Sequence, residues 1–323
     1  MRALYYRKVA RIIFVCWIEP DATIRLSILM RPIRFTTSLR ALMLMATALI
    51  FAVPSQAQDK KHPAKILNPD ALLTRTIIRR ESARLGYGGT VTLVGAPAGS
   101  ISIEGWSQSE VELTAEIQLR AETETDLDRL ALVNGFIFDQ GLNHIRIMSA
   151  GTHDKVYMKR VAKDFPKTLL GLPWKIDYRI RVPAMVDLEI NAGQGPISIS
   201  AVEGALLLTA TDSNARLTLT SGLVNATVGS GRLDVKIPVR SWRGSGVDLR
   251  VAVGELTVEL PSGFNGEIDA SVLRIGRIVD THGELKERQR GGITPQLIRA
   301  RAGSGGATLK FTVADGTITI KKP

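Results

Sequence analysis

Residues 206–236 read LLLTATDSNARLTLTSGLVNATVGSGRLDVK, and this stretch shows the pattern that runs through the carboxyl-terminal half of the chain. Apolar and polar residues alternate in short runs, as they do in half-buried β-strands. Glycine and serine separate the runs, at Ser221-Gly222 and at Gly229-Ser230-Gly231. The stretch contains no Asn-Gly or Asp-Gly pair, which is the usual signal of a tight β-hairpin. The pattern therefore favours stacked strands over a chain of hairpins.

Similar runs recur on both sides, with their central apolar positions mostly nine to eleven residues apart. Those positions are Leu188, Ile199, Leu208, Leu217, Ala226, Val235, Leu249, Val258 and Ile268. Aliphatic side chains of similar size stack well when successive coils of a chain superimpose. We therefore predict an all-β fold in which residues 183–323 form a β-solenoid or β-helix-like repeat, with these side chains pointing inward in successive rungs. A two-sheet sandwich of antiparallel hairpins is the alternative.

Residues 86–182 predict an antiparallel β portion that carries one short helix. A long alternating run covers residues 111–119. Thr123 is placed to cap a helix that Asn134-Gly135 ends. The runs 136–138 and 145–147 predict a hairpin, and residues 151–172 a long basic loop.

The amino-terminal 57 residues predict an export signal. From Met30 the chain has an arginine-rich start, an apolar run over Ala41–Val53 and a small-residue cleavage site at Ser55-Gln56-Ala57. Residues 30–57 are thus predicted to be a signal peptide, cleaved before Gln58. Residues 1–29 are explained as a non-native leader from a translation start assigned too early. The apolar run is shorter than the ~20 residues of a membrane span, so no stable transmembrane helix is expected in the mature chain.

The charge is concentrated in a few segments. The net charge is +11, but residues 1–57 contain eight basic and two acidic residues, so their removal lowers it to +5. That mild charge does not demand nucleic acid as a partner. Residues 58–85 predict a charged tether, with a short helix around residues 69–82.

Two basic clusters predict a surface that binds anionic polymers of the cell envelope. The first comprises Lys155, Lys159, Arg160, Lys163 and Lys167; the second comprises Arg274, Arg277, Lys286, Arg288, Arg290, Arg299 and Arg301. Few aromatic residues accompany them, which argues against binding of single-stranded nucleic acid. The alternative is that these charges serve only solubility.

Several segments resemble one known family. They are GSISIEGW at 99–106, YRIRVP at 178–183 and the closing DGTITI at 315–320. With the repeated "apolar-x-apolar, Gly" runs, they make residues 86–323 similar to the bacterial putative-adhesin family of the β-strand-repeat type, a domain of unknown function. The resemblance implies a right-handed β-helix-like repeat at the cell envelope, and no catalytic residues to carry over.

The residues that usually perform catalysis are sparse. The only cysteine, Cys16, lies in the leader, which excludes disulfides and thiolate chemistry from the mature chain. His62, His144, His153 and His282 do not have metal-ligand spacing and are predicted to lie on the surface. We expect no catalytic residue, metal or cofactor.

The sequence thus predicts an exported, non-enzymatic envelope protein, adhesin-like or scaffolding, that is periplasmic, on the outer surface or secreted. The alternative is an envelope polysaccharide-active enzyme on a β-helix scaffold, which would bring charged side chains together in a groove.

Overall fold

The computed structural model describes residues 72–95 and 97–323. The predicted leader, signal peptide and cleavage site, His62 and the first half of the predicted tether, residues 58–71, lie outside the described residues. Within them the chain has 17 strands and two α-helices, so the predicted all-β class is confirmed. The elements are β1 Leu73–Arg84, β2 Thr90–Val94, β3 Ile101–Trp106, β4 Glu110–Ala121, α1 Glu124–Val133, β5 Gly135–Gln140, β6 His144–Ala150, α2 Lys155–Val161, β7 Trp174–Pro183, β8 Asp187–Gln194, β9 Ile197–Val202, β10 Leu206–Leu219, β11 Ser221–Lys236, β12 Arg243–Glu259, β13 Gly266–Asp280, β14 Leu285–Glu287, β15 Ile293–Thr294, β16 Leu297–Ala302 and β17 Thr308–Lys321.

Parallel pairing joins the long strands in the order β10, β11, β12, β17 and β13. On the other side of β10, its two halves pair in parallel with β8 and β9. Leu206 lies between Leu188 and Val224, so equivalent positions on neighbouring strands are 18 residues apart here. The long strands of this described region are therefore paired in parallel and not as the antiparallel hairpins of the sandwich alternative.

The predicted inward positions are buried. Leu208, Leu249 and Val258 have no exposed surface, and the other predicted core positions in the repeat are also buried. Their assignment to successive rungs is wrong, because Leu208 and Leu217 lie in the same strand, β10. One 18-residue repeat contains two of the alternating runs, which explains the spacing of nine residues between them.

Glycines mark the bends within the long strands. Gly231, Gly254 and Gly316 are paired neighbours in β11, β12 and β17. Gly254 has a φ of +140°, and a Cβ there would overlap the carbonyl oxygen of Gly231. A side chain is thus excluded by both the backbone conformation and the neighbouring strand. In β10 the equivalent residue is Ser213, which is buried and whose Oγ donates to the carbonyl oxygen of Gly195 at 2.7 Å.

The strands are not ordered in space as they are along the chain. β2 lies between β6 and β8, β3 lies between β7 and β9, and the carboxyl-terminal strand β17 lies between β12 and β13. Antiparallel strands cover both ends of this ladder. β4 and β5 pair with β7 and β6 at one end, and β16 pairs with the first part of β13 at the other. At the first of these ends β1 pairs with β4 and is the outermost described strand.

In the amino-terminal portion the predicted helix and hairpin are confirmed. The prediction of an antiparallel portion with one helix is wrong in part, because β2 and β3 pair in parallel with their neighbours and α2 is a second helix. The predictions for residues 73–84 and for the basic loop are also wrong. Helix α1 begins after Thr123, whose side chain accepts a hydrogen bond from the Asp126 N–H, and β5 and β6 form the hairpin. Residues 73–84 are not part of a tether or a helix; they form β1, antiparallel to β4. Threonines and isoleucines favour the extended conformation in this segment. The predicted basic loop contains α2 and a 3-10 turn at Lys167–Leu169.

Candidate polyanion-binding surface

Residues 151–173 join β6 to β7, and this α2 connection carries the first basic cluster. Asp154 caps the helix: its Oδ1 accepts hydrogen bonds from the N–H groups of Val156 and Tyr157, at 2.8 and 3.0 Å. These bonds lower the pKa of Asp154, the one from Tyr157 most strongly. Met158 is buried and anchors the helix to the body of the fold. The connection is therefore an ordered element, which fixes where its charges are presented.

Five cations project from this connection into solvent. They are Lys155, Lys159, Arg160, Lys163 and Lys167, and all five are exposed. None of the five has a described carboxylate within the 4.0 Å of a salt bridge. Two acidic residues lie within the cluster: Asp154 uses its Oδ1 to cap the helix, and Asp164, which is exposed, is outside salt-bridge range of the five cations. The charge of this basic cluster is therefore open to an external anion.

The second basic group is differently placed and partly neutralised. Three of its seven cations, Arg274, Arg288 and Arg301, have carboxylate partners. The other four, Arg277, Lys286, Arg290 and Arg299, are exposed and have none among the described residues. Arg274 forms an ion pair with Asp315, and Arg288 with both Glu267 and Asp269. Arg277 is exposed in β13 with no described carboxylate in salt-bridge range.

The structure does not bring the two groups together. Moving from each strand to the one it pairs with, β13 is reached from β7 after seven pairings. At about 4.8 Å per step this is roughly 34 Å. Arg274 and Arg277 are therefore not part of the same surface as the α2 connection.

The outer face of β3, β7 and β9–β11 forms two polar depressions that the sequence analysis did not single out. One, of about 630 Å³, is lined by side chains that include Ser102, Ser198 and Arg216. The other, of about 360 Å³, contains Glu104, Glu112, Arg179 and Arg181 among its lining residues. Opposite charges balance in the second depression, so it has no clear preference for anions. In the sequence, the polar residues that alternate with the apolar ones signal these depressions. The order of the strands decides which of those polar residues lie together, and the sequence pattern does not specify that order.

The three histidines that the structure describes are not part of a metal-ligand cluster. In the described part of the chain, no three residues of the His, Cys, Asp and Glu types are grouped to hold an ion. His153 is exposed and contacts the Trp174 ring, with centroids 5.2 Å apart, and partial burial lowers its pKa. The prediction that His282 lies on the surface is wrong, because it is buried and its Nε2 lies 3.3 Å from the Pro261 carbonyl oxygen.

Comparisons with protein-family models and with curated proteins give no match. Among solved structures, the chain is similar to a "putative cell adhesion protein" from Clostridium sporogenes, at 12% identity and a TM-score of 0.40, covering 77% of this chain and 100% of that one. A "putative adhesin" from Bacteroides fragilis matches at 13% identity and a TM-score of 0.27, covering 76% and 97%. A "putative lipid binding protein" from Parabacteroides distasonis matches at 11% identity and a TM-score of 0.20, covering 75% and 96%.

Similarities at these TM-scores do not indicate a function for this chain. The observations that bear on its function come from its own surface. Over residues 72–95 and 97–323, no helix combines the length and apolar character that a bilayer span requires.

Proposed function

We propose that this chain is an exported, non-enzymatic protein of the cell envelope, adhesin-like or scaffolding, which binds anionic envelope polymers through the basic cluster of the α2 connection. The observation that carries the proposal is the set of five exposed cations without a described ion-pair partner on one ordered connection. Export is proposed from the signal-like sequence of residues 30–57.

The parallel ladder supports a β-solenoid scaffold as part of this proposal. Buried aliphatic side chains pair with one another across strands, as Leu208 does with Ile190 and Ala226. Three of the long strands, β11, β12 and β17, also carry a glycine of positive φ at the same register position, so these glycines stack on one another. A solenoid would hold the α2 connection at one end of a stiff body, which suits a protein that bridges surfaces.

Electrostatics decides what this connection attracts. Exposed charges interact over about 8 Å at physiological ionic strength, so cations close together in sequence act jointly on a flexible polyanion. A polymer with repeated phosphate, sulfate or carboxylate groups can contact several of them at once, whereas a monovalent anion cannot. Binding should therefore be multivalent and sensitive to salt.

The test compares two triple variants with equal changes in charge. In the first, Lys159, Arg160 and Lys163 are replaced by Gln. In the matched control, Arg240→Gln, Arg243→Gln and Lys310→Gln remove three exposed cations elsewhere on the ladder. Binding to dextran sulfate should weaken much more in the first variant than in the control. Equal binding by the first variant and the parent would overturn the proposed function.

One observation favours the enzyme alternative. Glu104, Glu112, Arg179 and Arg181 share one depression, so charged side chains do converge in a groove. However, Arg181 pairs with both Glu104 and Glu112 in the sheet register and therefore lies between the two carboxylates, where it would hinder their concerted action on a sugar. Turnover of envelope glycans by the parent, abolished by Glu104→Gln with Glu112→Gln, would establish the enzyme instead.

A further inference from the structure

The α2 connection exposes aliphatic side chains among its cations. Val156 is 77% exposed and Val161 is 53% exposed. Leu132, near the end of α1, is 81% exposed. The Asn134 side chain accepts a hydrogen bond from the Thr152 N–H at 2.9 Å, so the end of α1 adjoins the start of the connection. Exposed apolar groups thus lie within the same region as the basic cluster.

The helix geometry directs one valine and one cation straight outward. Successive residues of an α-helix are 100° apart, because a turn contains 3.6 residues. With Met158 buried, the opposite side of α2 carries Val156 and Arg160, which are one turn apart. Lys159 lies about 60° from Val156, beside this ridge. Lys155 and Val161 lie about 60° from Met158 on opposite sides, at the two margins of the exposed face, where Val161 is still 53% exposed. The outermost ridge of α2 is therefore amphipathic, with an aliphatic group beside a guanidinium group.

This combination fits a lipid bilayer better than a soluble polymer. A soluble polyanion contacts the cations but leaves both valines in water. The boundary between headgroups and acyl chains of an anionic bilayer accepts both kinds of group, because phosphates contact the cations while aliphatic side chains leave water. Cations alone, without the exposed valines, would not favour a bilayer over a soluble polyanion.

We propose that the α2 connection docks the protein on a bilayer that contains anionic lipids. Val156 and Val161 enter the headgroup boundary, and the basic cluster contacts the phosphates. This inference rests on the proposed function, since it uses the same cations, and goes beyond it by giving those cations a second anionic surface to contact, the headgroups of a bilayer. It predicts a contribution from apolar side chains that binding of a soluble polyanion would not require.

The experiment measures binding to three probes: vesicles of phosphatidylglycerol with phosphatidylcholine, vesicles of phosphatidylcholine alone, and dextran sulfate. The test variant is Val156→Ser with Val161→Ser. The matched control is Leu142→Ser with Val253→Ser, which removes two exposed aliphatic side chains elsewhere. Leu142 lies in the β5–β6 turn, about 20 Å along the hairpin from the start of the α2 connection.

The parent should bind the anionic vesicles more tightly than the neutral ones. The test variant should lose about tenfold in affinity for anionic vesicles, which corresponds to partial burial of two valines. Its binding to dextran sulfate should be unchanged, and the control should behave like the parent with all three probes.

The two proposals fail in different ways. Parent-like binding of anionic vesicles by the test variant overturns the insertion of the valines, and so does a parent that binds dextran sulfate but no vesicle. Undiminished binding of dextran sulfate by the Lys159, Arg160 and Lys163 triple variant overturns the proposed function itself. An unchanged thermal midpoint in each variant, measured on the full chain, confirms that a lost affinity is not lost folding.

Discussion

Replacing Gly254 with alanine tests whether the stacked bends hold the ladder together. Gly254 lies in β12 between Gly231 of β11 and Gly316 of β17. Its φ is +140°, a conformation that alanine rarely adopts. The new Cβ would overlap the Gly231 carbonyl oxygen, which belongs to the backbone of a paired strand and cannot rotate away.

The expected cost has two parts. Holding a non-glycine residue at positive φ costs about 1–2 kcal/mol. Relieving the overlap requires a shift of the backbone that weakens ladder hydrogen bonds, each worth about 1 kcal/mol net. Together these indicate a loss of at least about 3 kcal/mol in the free energy of unfolding.

Gly263 provides a control for the first part of this cost, which is the strain of a non-glycine residue at positive φ. It has a φ of +69°, but a Cβ there would meet no atom within 4 Å. Gly263→Ala should therefore cost only about 1 kcal/mol. Urea unfolding followed by far-UV circular dichroism measures both variants, and the midpoints are comparable if the slopes agree. Equal losses in the two variants, or a negligible loss in Gly254→Ala, would refute the stacked arrangement of the bends.

Three further predictions concern the core, a half-buried carboxylate and export. Leu208→Ala, at a fully buried position, should lower the free energy of unfolding by about 2–5 kcal/mol in denaturant titrations; a loss below about 1 kcal/mol would place Leu208 outside the core. Burial raises the pKa of Asp177, but hydrogen bonds from Lys175 and from the Ser100 N–H and Oγ outweigh it, so the pKa is lowered overall. The stability from Asp177 is thus present above the usual aspartate pKa of about 4 and is lost as the pH falls through the lowered value. Asp177→Asn should therefore lower the thermal midpoint at neutral pH and by less in acid; a difference that grows in acid would reverse the assigned sign. Mass spectrometry of the exported chain should find Gln58 at its amino terminus, and a retained 1–57 segment would contradict the signal-peptide prediction.

The local parts of this structure were readable from the residues. Alternation of apolar and polar residues placed Leu208 and Val258 in the core, because strand side chains point to opposite faces in turn. Thr123 and Asn134 marked the ends of α1 through their capping chemistry. The length of the repeat was misread, since β10 is one strand over Leu206–Leu219 but its two alternating runs look like two strands in the sequence.

Long-range pairing could not be read in the same way. The insertion of β17 between β12 and β13 joins residues far apart in sequence, and no local pattern specifies it. The ion pairs of the basic clusters could not be read from the sequence either. Arg274 looked as available as Lys159, but its partner Asp315 is 41 residues away. Charge in a sequence predicts a binding surface only after the folded partners have been counted. Among the described residues, all five cations of the α2 connection remain open, against four of the seven in the second group.

The central claim is that open charge on the α2 connection binds anionic polymers. Its most direct test is the affinity for dextran sulfate, measured from low salt to ~0.15 M salt, for the parent and for the Lys159→Gln, Arg160→Gln, Lys163→Gln variant. We predict that the affinity of the parent falls steeply with salt, and that the variant binds more weakly with a flatter salt dependence at an unchanged unfolding midpoint. Binding by the parent that ignores salt, or equal affinities and slopes for the two proteins, would contradict the claim.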